Sequence, residues 1–307
     1  MADFDGQAPR QAQFPVHGGG DLGQTVGIAL TWRGVAIMIR FLVAALVAVL
    51  VWPAAPARAE GTSRCIAFVE DEAQILPAAY VPAQGAALKP DEVEIEFITH
   101  STFRIRTAAG VVAATDYAGY AGPGNPPDIA TMNHAHETHY TDFPDPAIAH
   151  VLRGWNPAGA GPAEHHLHVE DLLVRNVTTD IRSWGGLAER DGNSIFIFEV
   201  ADLCIGHLGH LHHKPTPEQF ARIGRLDVVM APVAGGLTLD LPTMIEVLKE
   251  FRASLVIPMH FFGGSSLDAF VAGMSTEFAV RVSKEPVTIV SQATLPRRPT
   301  VLVLPGF

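Results

Sequence analysis

A chain of 307 residues with 48% hydrophobic and 17% charged side chains and 23 prolines is neither a disordered polymer nor a coiled coil, and it has room for one large domain or two small ones. The formal net charge of −11, without a Lys/Arg run that could line a groove, repels phosphate backbones and excludes nucleic acid as an expected partner.

Phe41 to Trp52 is an uncharged apolar run, too short to span about 30 Å of hydrocarbon at 1.5 Å per residue. Arg40 precedes it and Ala57, Arg58 and Ala59 close it, the order of a secretory signal peptide. The segment 38–59 is expected to be cleaved after Ala59, leaving no stable membrane span. Residues 1–37, before the internal Met38, read as a disordered upstream extension. The remainder, 60–307, carries 17 basic and 29 acidic residues, a net charge of −12. Export to the periplasm or beyond would expose Cys65 and Cys204 to oxidation. They could pair, or Cys204 could be a small buried hydrophobe between Leu203 and Ile205.

Residues 60–91 are Ala/Pro-rich and read as a lead-in arm to one domain over 92–307. From Glu92 the pattern is that of strands. Val93, Ile95 and Phe97 alternate with acids, Phe103 and Ile105 alternate with arginines, and Val111 and Val112 follow a turn at 108–110, which predicts an antiparallel meander. Later come the short apolar runs 203–205, 228–230 and 255–257, separated by helical patterns near Thr216 to Ile223 and Leu241 to Phe251. Thr216 as cap with Pro217 in the first turn suits a helix start. A meander leading into strand–helix–strand units predicts an α/β architecture of mixed sheets layered with helices.

Fourteen histidines are present, eleven of them between His134 and His213. His134, His136 and His139 occupy the loop leaving the predicted strand at 129–132. A second group, 207–213, contains four imidazoles and also follows an apolar strand. His260 directly follows the strand 255–257. In a layered α/β fold such strand ends share a rim where loops build sites, and neutral imidazole is the commonest metal ligand. The arrangement points to a metal centre. It is not the HExxH helix of metalloproteases, because Tyr140 stands where the second histidine would fall. His165, His166 and His168 read as an exposed loop.

Five segments in order resemble the metallo-β-lactamase fold hydrolases, and more specifically their lactonase-like branch: Thr99 to Phe103, Thr115 to Tyr117, His134 to His139, His207 to His213 and Ile257 to His260. The resemblance implies the four-layer αβ/βα sandwich with mixed sheets. It also implies that Asp116 stands behind the histidines and accepts an imidazole N–H, and that His100 and His213 face the substrate. The chain departs from the family pattern at Thr138 and His210, where Asp is expected, and by lacking a histidine between Val169 and Gly206. Asp180 is expected to replace that missing imidazole. The expected ligands are therefore His134, His136 and Asp180, with His139, His210 and His260 as a second site or a histidine lining. A neutral imidazole ordinarily binds one cation where a carboxylate can bridge two, so a close dinuclear centre is doubtful. The expected cofactor is a divalent metal, Zn²⁺ in one or two ions, or Fe or Mn with a more octahedral shell.

A divalent ion that lowers the pKa of bound water makes hydrolysis the natural chemistry. The resemblance implies an ester, lactone, amide or phosphodiester among small-molecule substrates. The alternatives are a mononuclear iron oxidoreductase on the same fold and a non-catalytic metal- or ligand-binding protein. The sequence does not select the substrate or the oligomeric state.

Overall fold

A computed structural model describes residues 63–66, 87–134, 136–159, 161–182 and 188–306. The expected signal segment 38–59 and the extension 1–37 lie outside the described residues, as does most of the 60–91 arm. No described helix is long and apolar enough to cross a membrane.

The domain begins with the antiparallel meander β1 (Val93–Thr99), β2 (Thr102–Arg106) and β3 (Val112–Ala114). Val93, Ile95, Phe103, Ile105 and Ala113 are fully buried, so the period-two pattern puts one face of this sheet into a core. β4 (Ile129–Met132) and β5 (His150–Arg153) then run parallel to β3. With β13 (Val287–Val290) on the far edge, they complete a six-stranded mixed sheet of order β13-β1-β2-β3-β4-β5.

The second sheet has eight strands in the order β12-β14-β11-β10-β9-β8-β7-β6. Its antiparallel half is β6 (His166–Val169), β7 (Leu172–Arg182) and β8 (Ala188–Val200). Its parallel half is β9 (Leu203–His207), β10 (Val228–Pro232), β11 (Leu255–Met259), β14 (Thr300–Val303) and β12 (Ala279–Val282). The continuous apolar runs of β9, β10 and β11 arise because these strands are buried on both faces. Val228, Met230, Leu255 and Ile257 meet Ile95, Phe103 and Ile129 of the first sheet. Val229, Ala231 and Val256 face the other way, against the helices.

Those helices are α1 (Pro217–Ile223), α2 (Leu241–Phe251) and α3 (Gly264–Met274). Thr216 caps α1 in a capping box with Gln219, and Asp240 caps α2 by accepting from Thr243 N. Each helix returns the chain from the end of one parallel strand to the start of the next. Strand ends β9, β10 and β11 are thereby left on one rim.

Both mixed sheets and one helical layer of the expected sandwich are present. Among the described residues, the outer face of the six-stranded sheet is covered by loop side chains. Tyr117, Ala121 and Ile148 pack there on Ala130 and Met132. The 165–168 stretch, expected as an exposed loop, is largely the edge strand β6, with His166 and His168 exposed and His165 bonded from Nε2 to the Arg153 carbonyl at 2.6 Å.

Cys65 and Cys204 form a disulfide, which decides between pairing and simple burial. It fastens the arm to the first residues of β9. Around it, Ser63 Oγ and Arg64 N donate to Glu199 at 2.6 and 3.0 Å, and Arg225 N donates to the Cys65 carbonyl at 2.9 Å. Gly224 has φ of 74°, and a Cβ there would stand 2.4 Å from that carbonyl oxygen, so only glycine permits the close approach.

Candidate metal centre

Four imidazoles converge at the rim. His136 and His139 come from the loop after β4, His210 from the loop after β9 and His260 from the residue after β11. One ring nitrogen of each lies within 4.8 Å of the others. Zinc–nitrogen bonds are about 2.0–2.1 Å, so ring shifts under about 1 Å would let the group close on a single ion. His139, His210 and His260 are buried and His136 is exposed. His139 Nε2 and both nitrogens of His260 are buried without a hydrogen-bond partner. Leaving such groups unsatisfied ordinarily costs about 1–3 kcal/mol each. A cation at this point would satisfy His139 Nε2 and one nitrogen of His260, so these residues fit the implied metal.

The surroundings prepare the rings. Asp116, buried at the end of β3, accepts from Asn133 Nδ2 at 2.6 Å and from His139 Nδ1 at 2.7 Å. That second bond fixes the His139 tautomer with its lone pair on Nε2, the nitrogen facing the other rings. Burial pushes the Asp116 carboxyl up, opposed by His207 and by its bonds to Asn133 and Ser101. His207 itself is buried and bonded through Nε2 to the Ser101 carbonyl at 2.8 Å, so it buttresses the turn between β1 and β2 and is not a ligand. His136 Nδ1 lies 2.9 Å from Thr138 Oγ1, which in turn lies 3.2 Å from His100 Nε2. The expected carboxylate position is thus a hydroxyl joining two imidazoles. Three residues of the site, His100, Asp116 and His260, have left-handed backbones, with φ of 47°, 42° and 53°. His100 is held there in part because its carbonyl accepts from His260 N at 2.8 Å.

Burial holds these imidazoles neutral. The His139 pKa falls to about 3, through desolvation and the neighbouring His136. That of His260 falls to about 2, through desolvation, His100 and His139. His100 falls to about 4 for similar reasons, and His210 is also lowered. Neutral rings keep the lone pairs that a cation needs. In an unfolded chain each would titrate near 6.5. Above that pH neither state binds the proton and stability is unaffected. Below it the unfolded state takes up protons that the folded state refuses, so stability falls. For the fully buried His139 and His260 this amounts to about 1.4 kcal/mol per group per pH unit. The metal-free protein is therefore expected to lose on the order of 2–4 kcal/mol between pH 6.5 and 5, read as a falling melting temperature. A flat profile across that window would contradict the buried neutral cluster.

Other sequence-predicted residues lie outside this four-ring group. His134 is not among the four rings. Its Nδ1 lies 2.6 Å from Glu189 Oε1, its ring stacks on Trp155 at 4.9 Å, and its backbone N donates to the Gly192 carbonyl. Contacts from β8 and from the segment after β5 draw it out of the cluster. Asp180 is also outside the group. Its Oδ1 accepts from Asp191 N at 3.0 Å, stitching the β7–β8 pair. His213 is exposed, its ring 6.5 Å from that of His212. His100 stands beside the cluster, 4.1 Å from the His260 ring, where the exposed Phe262 covers both at 5.2 and 5.3 Å. His212, unassigned by the sequence, lies directly behind His210. Its Nε2 is 2.7 Å from His210 Nδ1 and its Nδ1 accepts from Arg182 N at 2.5 Å.

The family model of the beta-lactamase superfamily domain matches residues 94–260, more than half of the chain and the whole stretch from β1 to the last of the four histidines. The chain belongs to the metallo-β-lactamase superfamily. Among solved structures, a candidate Zn-dependent hydrolase of the metallo-β-lactamase superfamily from Thermotoga maritima is 22% identical with a TM-score of 0.51, over 70% of this chain and 100% of that one. A metallo hydrolase from Ignicoccus hospitalis is 15% identical with a TM-score of 0.47, over 65% and 99%. A candidate metal-dependent hydrolase from Parabacteroides distasonis is 15% identical with a TM-score of 0.47, over 59% and 88%. At such identities the likeness is one of fold. No curated protein resembles the chain closely enough to count as a match. Within the metallo-β-lactamase fold, function has to be argued from the site.

Proposed function

We propose that this protein is a metal-dependent hydrolase acting on a small-molecule ester, lactone or amide, with one divalent cation held among His136, His139, His210 and His260. The observation that carries the reading is the convergence of these neutral rings with three buried, unpartnered ring nitrogens between them. Imidazole sets of this kind suit zinc, iron, copper or nickel better than magnesium, calcium or manganese, and zinc is the ion proposed here. When bound, it would lower the pKa of a water molecule toward neutrality and polarise the substrate's carbonyl oxygen.

The chain's own residues do the rest. Asp116 holds His139 in the ligating tautomer. His136, the exposed member, stands on the solvent side of the group, while the other three are closed off from water. Phe262 shields His100 and His260 with an apolar ring. The loop from Asn133 to Ala147 contains Glu137, Asp142 and Asp145 and no lysine or arginine, which disfavours a phosphodiester and narrows the substrate to an uncharged bond.

Export is proposed as well. It is supported by the disulfide, which oxidising compartments favour, and by the signal-like order of 38–59.

The test is titration of metal-free protein with zinc, read by thermal denaturation and followed by an ester, lactone and amide panel. Zinc at 100 times its Kd is expected to stabilise the fold by about 2.7 kcal/mol, saturating at one ion per chain, with turnover on at least one panel member. Absence of any zinc-dependent stabilisation would remove the basis for the reading.

A further inference from the structure

Four imidazoles would fill a tetrahedral shell, whereas catalytic zinc typically uses three protein ligands and keeps a position free. We infer that His210 is the ring that does not ligate, and that it instead aims a hydrogen-bond donor at the open position. The inference rests on the metal-centre reading above and adds to it the division of labour among the four rings.

It starts from one backbone amide. Arg182 N always carries its hydrogen, and it lies 2.5 Å from His212 Nδ1. A ring nitrogen that close has no room for a hydrogen of its own, so it is the acceptor. A neutral His212 must then carry its proton on Nε2, which lies 2.7 Å from His210 Nδ1. That makes His210 Nδ1 an acceptor. A neutral His210 must in turn carry its proton on Nε2, which lies 2.9 Å from His136 Nε2. The proton of His210 therefore points into the cluster.

The other three rings have the opposite polarity or none imposed. His136 meets the Thr138 hydroxyl through Nδ1 at 2.9 Å, so a proton there leaves Nε2 as a bare lone pair. His139 commits its Nδ1 proton to Asp116 and leaves Nε2 unpartnered. His260 has no bonded nitrogen and can offer either. All three can ligate without moving a proton between elements. For His210 to ligate through Nε2, its proton would have to move to Nδ1. His212 would then be required to accept at both nitrogens, which a neutral imidazole cannot do, or the Arg182 amide would lose its partner.

The consequence is functional. With a cation on the His136 lone pair, His210 Nε2–H would lose its acceptor. It would then be free to donate to the substrate's carbonyl oxygen, on which negative charge develops during attack. Fixed donors aimed at such an oxygen are among the strongest contributors to catalysis.

Two measurements on the full chain test this. Two-bond ¹H–¹⁵N correlation spectra of the metal-free protein report each ring's tautomer and should show His210 protonated on Nε2. A proton on His210 Nδ1 would overturn the inference without any variant. Zinc affinity of His210→Gln is expected to stay within about threefold of the parent, whereas His139→Gln should fall by 100-fold or more. Equal losses in the two would make His210 a ligand and refute the assignment while leaving the metal centre standing. A parent protein that binds no zinc would sink both readings together, so the two failures are distinguishable.

Discussion

His260→Leu is expected to abolish zinc-induced stabilisation, lowering zinc affinity by about 1,000-fold or more, while leaving the metal-free protein as stable as the parent or slightly more so. The two halves of this result have one cause. His260 is fully buried with neither ring nitrogen bonded. The apo fold therefore carries the cost of two desolvated nitrogens, about 1–3 kcal/mol each, and gains no hydrogen bond in return. Leucine removes that cost and keeps most of the volume. A buried histidine retained for packing would behave in the reverse way. The companion variant His134→Ala should bind zinc as the parent does, because that ring is engaged by Glu189 and Trp155. Zinc titration of both variants by calorimetry checks the pair. Loss of binding in His134→Ala with retention in His260→Leu would reverse the ligand assignment made here.

The second large effect concerns the disulfide. Cys65 and Cys204 are 139 residues apart in sequence, and cross-linking a loop of that length limits the unfolded ensemble strongly. Cys65→Ser together with Cys204→Ser, or full reduction, is expected to destabilise the protein by about 3–5 kcal/mol. At this chain size that corresponds to a fall in Tm of roughly 10 °C. The bonds from Ser63 and Arg64 to Glu199 hold the same arm but do not substitute for the cross-link, since they vanish on unfolding. Equal melting temperatures with and without reductant would show that the bond contributes nothing. The cross-link ends at the start of β9, whose far end leads to His207 and His210. Zinc affinity below the melting transition is expected to survive reduction, because the histidines lie at the opposite end of that strand.

Much of the fold could be read from the sequence because its signals are local. Alternation over 93–106 and the apolar runs at 203–205, 228–230 and 255–257 reflect burial on one face and on both faces, and they mark β1, β2, β9, β10 and β11. Thr216 and Pro217 mark the start of α1, and α2 spans the expected Leu241 to Phe251. The long β7–β8 pair was less legible. β8 opens with Ala188, Glu189, Arg190 and Asp191, and such polar residues hide a strand that extends past the edge of the core.

The same hairpin explains why the ligand set was only partly legible. The spacing of His134, His136 and His139 identifies a metal-binding loop but does not order its members. Glu189, distant in sequence, captures His134, and Asp191 occupies Asp180. Tertiary partners, absent from any local pattern, decide which rings converge. The clustering of rings from β4, β9 and β11 was visible because strand ends in this kind of sheet share a rim.

The left-handed backbones of His100, Asp116 and His260 bear on how the pocket could be altered. Each such conformation costs on the order of 1–3 kcal/mol in a non-glycine residue, and that cost falls on folding, before any ion arrives. The site is thus sprung into its working shape by folding alone. An engineer seeking a hardier scaffold would find glycine attractive at all three positions, and would dismantle the device by accepting it.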